Sequence, residues 1–187
     1  MTVLWNTEEH YGWVAILLHW LMAALILGQF TLGFVMTRTD DQRLAFERIQ
    51  LHKSIGLTLL ALAAVRIVWR LANRRPRLPG LPRAEAHAAR MVHAMLYALM
   101  FVLPLSGWAL VSSSVLEIPT MPFGLLVLPN LPLDVSEAAE AFWASVHRWI
   151  GWGAIALVCL HVLAALRHHF WLRDDVLLRM VGTERRE

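Results

Sequence analysis

Two histidines on one long apolar stretch, His147 and His161, are the residues of this chain best placed to do chemistry. In an α-helix the fourteen residues between them rise about 21 Å and turn to within about 40° of four full circles, so both imidazoles share a face at two depths. His19 and His52 stand in the first and second apolar stretches. An ionisable side chain inside an apolar span is expensive in lipid and marks a functional position. The chemistry that imidazole brings to such a place is metal ligation or proton transfer.

The elements that must position these side chains are membrane helices. The chain has 187 residues, 58% of them hydrophobic and only 17% charged, with nine Trp and a mean hydropathy of +0.52. A soluble domain of this length carries more charge. Four apolar runs, 12–36, 52–71, 91–111 and 146–170, are each long enough to cross a bilayer core of roughly 30 Å. The expected fold is all-α, a transmembrane four-helix bundle forming one integral-membrane domain over residues 1–187. The first run has no basic residue before it and no small-residue cleavage site, so it reads as a retained span and not as a signal peptide. Cys159, the only cysteine, excludes an internal disulfide, an iron-sulfur cluster and a covalent haem attachment, and reads as a packing residue.

Charge sets the orientation. Arg74, Arg75, Arg77, Arg83 and Arg90 follow the second run, and Arg173, Arg179, Arg185 and Arg186 follow the fourth. The opposite side has only Arg38, Arg43 and Arg48 in its first loop, and none in 113–145. The positive-inside rule then places both termini and the middle loop in the cytoplasm. The pI of about 9.7 follows from this basic rim and not from a nucleic-acid face.

Because successive spans alternate in direction, depth matching pairs His52 with His147 near the outer boundary and His19 with His161 near the inner one. Two helices each giving one imidazole at the same level is how a helical bundle supplies the axial ligands of a six-coordinate haem. One turn after each of the four stands a small residue, Ala23, Gly56, Gly151 or Ala165, where a porphyrin edge needs room. His93 is followed at that spacing by Tyr97, which argues against it as a ligand; it reads as a propionate or quinone contact, or as structural. Lys53 and Arg148 beside the outer histidines, and Arg66 fourteen residues after His52, would balance propionate charge. Snorkelling at the membrane boundary explains Arg70 equally well and Arg66 less well. A zinc site needs four ligands close together, whereas these levels stand about 21 Å apart along the helix.

Residues 1–11 read as a polar surface segment, with Trp5, Tyr11 and Trp13 as interfacial aromatics. The first outer loop, 37–51, reads as containing a short amphipathic helical turn. Pro76, Pro79, Gly80 and Pro82 mark the cytoplasmic turn, and Pro104 and Gly107 are expected to kink or end the third span. The second outer loop, 112–145, is broken by prolines yet apolar through 123–128. It is expected to fold down over the outer end of the bundle. His168 and His169 read as interfacial; His10 and His87 read as exposed.

These residues together resemble the bacterial cytochrome b561 family, small di-haem membrane proteins related to the cytochrome b subunits of nickel-iron hydrogenases. The resemblance lies in His19-Trp20, in Leu51-His52-Lys53-Ser54-Ile55-Gly56 running to Arg66 and Arg70, and in His93 with Tyr97. It continues in Phe123-Gly124, Leu128-Pro129-Asn130, His147 and His161, and in the tail from His168-His169-Phe170 through Asp174, Leu178, Arg179 and Met180. It implies two non-covalent b-type haems that pass electrons across the inner membrane and exchange them with ubiquinone. One branch of the family oxidises superoxide at the outer face.

Two bis-histidine haems leave no open coordination position, so electron transfer is expected and oxygen activation is not. No catalytic residue is assigned. Arg38, Arg43, Arg48, Lys53 and Arg148 would steer a small anion such as superoxide to the outer haem. The alternatives are a haem-bearing anchor relaying electrons for a partner dehydrogenase or hydrogenase, and a histidine-based metal or proton transporter without haem.

Overall fold

A computed structural model describes residues 4–8, 10–74, 76 and 82–182. Four long helices follow one another: α1 Trp13–Met36, α2 Gln42–Ala72, α3 Arg83–Ser112 and α4 Glu137–Arg167. All four are long and apolar enough to cross a membrane. Among the described residues there is no strand, only an isolated bridge between Thr120 and Leu128. The fold is an all-α transmembrane four-helix bundle. Arg75, Arg77, Pro79, Gly80, Arg185 and Arg186 lie outside the described residues.

Three helices begin well before the apolar runs they carry. α2 starts at Gln42, where the Asp41 carboxylate accepts the Leu44 N–H at 3.0 Å, and runs without a break into the apolar stretch. The amphipathic turn expected in the first outer loop is therefore the first three turns of α2. Its 31 residues measure about 46 Å, so a third of the helix stands outside the hydrocarbon core. α4 starts at Glu137 behind a Ser136 cap, whose hydroxyl accepts the Ala139 N–H at 3.2 Å and donates to Asp134 at 2.7 Å. α3 starts at Arg83, directly after Pro82, on an alanine-rich first turn. Hydropathy ends where charge begins, but helix propensity does not, because Arg, Glu, Gln and Ala are all good helix formers.

Pro104 and Gly107 do not end α3, which continues to Ser112. A proline inside a membrane helix is tolerated when side chains and neighbouring helices satisfy the backbone around it. α4 continues as a π-helical turn, His168–Leu172, and stops at Arg173, which adopts a left-handed φ of 54°. The tail then folds back, and the Trp20 indole donates to the Met180 carbonyl at 2.6 Å.

α1 packs on α2, α2 on α3 and α3 on α4, whereas α4 packs less closely along α1 and α2. The mid-depth core reflects this order. Met22, Leu59 and Ala63 are buried there, with Leu25, Ile26, Ile55, Leu62, Met100 and Phe101 against them, and α4 contributes none of these residues. Ala63, fully buried, lets the backbones approach, as small residues do where helices pack in lipid.

The second outer loop does fold over the outer end. Lys53 Nζ donates to the Pro119 carbonyl at 3.3 Å, the Phe123 N–H to Ser54 Oγ at 3.0 Å, and the Leu131 N–H to Ser112 Oγ at 3.0 Å. Phe123 holds a φ of 51°, uncommon for a bulky side chain, and its bond to buried Ser54 is one of the contacts that hold the loop there. The apolar tip residues Leu125, Leu126 and Val127 face outward.

Candidate functional site

At the outer level α2 and α4 bring His52 and His147 together, with ring centroids 6.1 Å apart and planes at 88°. At the inner level α1 and α4 do the same for His19 and His161, at 6.3 Å and 73°. Two imidazoles that each bind one metal ion through a nitrogen about 2 Å away have centroids roughly 6 Å apart. Both pairs therefore have the spacing of shared axial ligands. His93 of α3 is also close to His161, but at 5.3 Å the two rings leave less room for an ion between them. Among the described residues no three His, Cys, Asp or Glu side chains gather as a metal-ion cluster.

The surroundings of the outer pair choose a tautomer. His147 Nδ1 lies 2.9 Å from Ser106 Oγ and 3.2 Å from the Leu103 carbonyl oxygen. A carbonyl only accepts, so Nδ1 carries the proton and Nε2 keeps its lone pair. That is the state a ligating imidazole needs, its second nitrogen donating to an oxygen. Among the described residues the buried His52 Nδ1 has no hydrogen-bond partner.

Glycines back both rings. A Cβ on Gly107 would sit 3.1 Å from His147 Cε1, and one on Gly33 would sit 3.4 Å from His52 Cε1. Gly107→Ala is expected to push the His147 ring aside at a cost of about 1–3 kcal/mol, read as a lower unfolding temperature of the purified protein; an unchanged temperature would show that the ring yields freely. A Cβ on Gly151, one turn after His147, would meet open space, as a porphyrin edge requires. Gly56 does something else. A Cβ there would come within 3.2 Å of Gln29 Nε2, which donates to the His52 carbonyl at 2.9 Å. Gly56 therefore makes room for Gln29.

The inner level is rich in guanidinium groups. Arg66 donates through Nε to the Tyr97 hydroxyl at 3.4 Å, and Arg70 reaches the same oxygen at 3.3 Å. Arg66 Nη2 also lies 3.3 Å from His19 Nδ1, while the buried Nη1 has no partner among the described residues. A guanidinium only donates, so His19 Nδ1 accepts and its proton sits on Nε2. Coordination through Nε2 excludes that contact. The inner pair accordingly fits an iron porphyrin once Arg66 turns from His19 toward an anion, and Nη1 already lacks one. Burial pushes the Tyr11 phenol up more than nearby Arg70 and Arg66 pull it down, so it remains a neutral hydroxyl. Both tyrosines of the chain thus stand at the basic inner end.

The remaining residues lie as follows. Lys53 is tied to the outer loop and Arg148 is exposed. His10 and His87 are exposed. His168 is half-buried, its Nδ1 2.5 Å from the Asp174 carboxylate. Gln29, Gly33 and Ser106 escaped the sequence reading, which took Gly107 only as a helix breaker. The signal was present as a lone amide in α1 and a Ser-Gly pair in the third span, but only depth registration across helices pairs them with imidazoles.

Four membrane-length helices presenting paired imidazoles at two depths define the class of helical-bundle membrane cytochromes. The family model for prokaryotic cytochrome b561 matches residues 10–183, and the chain belongs to this family. It is 34% identical to cytochrome b561 homolog 2 of Escherichia coli over 95% of this chain and 94% of that one. It is 27% identical to a probable superoxide oxidase CybB of Yersinia pestis, covering 95% and 99% of the two chains. Cytochrome b562 of Cereibacter sphaeroides is also 27% identical, over 93% and 96%. The protein is thus a multi-pass membrane electron-transfer protein that carries haem b and exchanges electrons with redox partners.

Proposed function

We propose that the protein holds two haem b groups, one between His52 and His147 and one between His19 and His161, and moves electrons from superoxide at the outer face to ubiquinone. The observation that carries this reading is the pair of centroid separations, 6.1 and 6.3 Å, on one shared helix. Bound haem b supplies one-electron iron chemistry at each level. Both imidazoles of each pair would be taken up in holding its haem, so the chain would leave no open site for oxygen. The two levels lie about 21 Å apart along α4. Two superoxide anions give up two electrons and leave as oxygen; ubiquinone takes those electrons with two protons and becomes ubiquinol. The basic inner rim, including Arg74, Arg83, Arg90, Arg173 and Arg179, supports cytoplasmic termini in a bacterial inner membrane.

Four of the outer cations are held by neighbours. Arg38 donates to the Phe34 carbonyl at 3.0 Å and lies over the Phe34 ring, Arg48 donates to Thr39, and Lys53 holds Pro119. Arg43 is paired with Glu47 at 3.1 Å and contributes least to a net field. Steering by such a field accelerates encounter about tenfold or more and weakens with salt.

The test is superoxide-dependent reduction of ubiquinone by the purified protein alone, with superoxide dismutase as competitor. Replacing Arg38, Arg48, Lys53 and Arg148 together by Gln is expected to lower the superoxide rate roughly tenfold and flatten its salt dependence. A rate indifferent to both would overturn the steering, and no reduction of ubiquinone by superoxide would remove superoxide as the donor. Activity only after a dehydrogenase or hydrogenase is added would make the protein an electron-relaying anchor instead.

A further inference from the structure

The two outer imidazoles differ in a way that the pairing alone does not require. Among the described residues the buried His52 Nδ1 has no hydrogen-bond partner, whereas His147 Nδ1 meets two oxygens on α3. One of them, Ser106 Oγ, is almost fully buried and lies 2.7 Å from the Leu103 carbonyl oxygen as well as 2.9 Å from His147 Nδ1. The three atoms form a closed triangle whose proton assignments are forced. The Leu103 carbonyl accepts from both neighbours, so the Ser106 hydroxyl donates to it and Nδ1–H is shared between Ser106 Oγ and the same carbonyl.

Gly107 explains why this triangle fits against α3. Gly107, with no Cβ, lets the His147 ring lie against the turn that carries Ser106. A partner oxygen on the non-ligating nitrogen fixes ring orientation and raises ligand basicity. A more basic imidazole favours the ferric state, so this oxygen lowers the potential of the haem it serves. Among the described residues no oxygen is hydrogen-bonded to His52 Nδ1.

We propose that Ser106 is a positioning residue that sets the orientation and donor strength of His147, and so holds the potential of the outer haem down relative to what the bare imidazole would give. The proposal rests on His147 being an axial ligand. Superoxide oxidation would then meet an outer haem whose potential is set from α3, by a hydroxyl that touches neither iron nor substrate.

The experiment is a potentiometric titration of the purified holoprotein with optical and low-temperature EPR detection, comparing the native chain with Ser106→Ala and Ser106→Thr. Ser106→Ala is expected to retain both haems, because the Leu103 carbonyl still accepts Nδ1–H. It should raise one midpoint potential, shift the low-spin ferric signal of that haem alone, and leave the other haem unchanged. Ser106→Thr keeps the hydroxyl and should restore the native values. A Ser106→Ala protein with both potentials and both EPR signals unchanged overturns the proposal, as does an equal shift of both haems. Haem content separates this from the underlying reading: if His147→Ala keeps both haems, the ligand assignment itself has failed, whatever Ser106 does.

Discussion

Purified His52→Ala or His147→Ala protein is expected to contain one haem b per chain instead of two, and His19→Ala or His161→Ala protein is expected to lose the other one. The separation of levels is the reason. α4 carries both His147 and His161, but its partner at the outer level is α2 and at the inner level α1. Removing one imidazole of a pair leaves a single ligand at that level and does not touch the other, about 21 Å away by helix rise. Haem extraction with chain quantification measures the ratio, and potentiometry identifies which of two midpoints disappears. His93→Ala should keep both haems, since its ring lies too close to His161 to share an ion with it at the spacing of the other pairs. A His93 variant that loses a haem while His19→Ala keeps both would transfer the inner ligand from α1 to α3.

Arg66→Leu is expected to weaken retention of the inner haem by about 10–100-fold and to lower its potential. Arg66 sits half-buried at inner depth with Nη1 unpartnered among the described residues, and Nη2 on the nitrogen of His19 that must carry a proton when Nε2 ligates. A carboxylate such as a propionate satisfies both groups at once, drawing Arg66 off His19 and filling Nη1. Charge-assisted bonds of this kind contribute about 1.5–3 kcal/mol, which converts to the stated range. Loss of a nearby cation also favours the more positive ferric iron, hence the downward shift. Arg66→Lys keeps the charge without the fork and should recover the potential better than the affinity. The measurements are haem retention during detergent exchange and the inner midpoint. Native retention and an unshifted midpoint in Arg66→Leu would leave Arg66 as a partner of Tyr97 alone, with which it already bonds.

Much of the site was legible before any coordinates. Four apolar runs and an uneven Arg distribution require a membrane bundle, because the cost of burying charge in lipid is paid residue by residue and needs no tertiary information. The helical repeat puts His147 and His161 on one face, and antiparallel passage assigns His52 to the first and His19 to the second by depth alone. The structure brings both pairs together. The family membership was legible for the same reason: its signature residues are short, local and spread over nearly the whole chain.

Helix limits were less legible, since hydropathy registers the bilayer while the backbone follows propensity and caps. α2 begins directly after Asp41 and α4 directly after Ser136 because a side-chain oxygen there accepts a helix N–H, well outside the apolar runs. What surrounds each imidazole was decided only in three dimensions. Gly33 and Gly107 back the outer rings, Gly56 makes room for Gln29, Ser106 faces His147 and Arg66 faces His19, each contact joining two different helices. Periodicity ranks positions around one helix axis, but the rotation of that helix against its neighbours is set by packing. Histidine depth is therefore a property of the chain, whereas the proton and charge environment of each imidazole belongs to the assembled bundle.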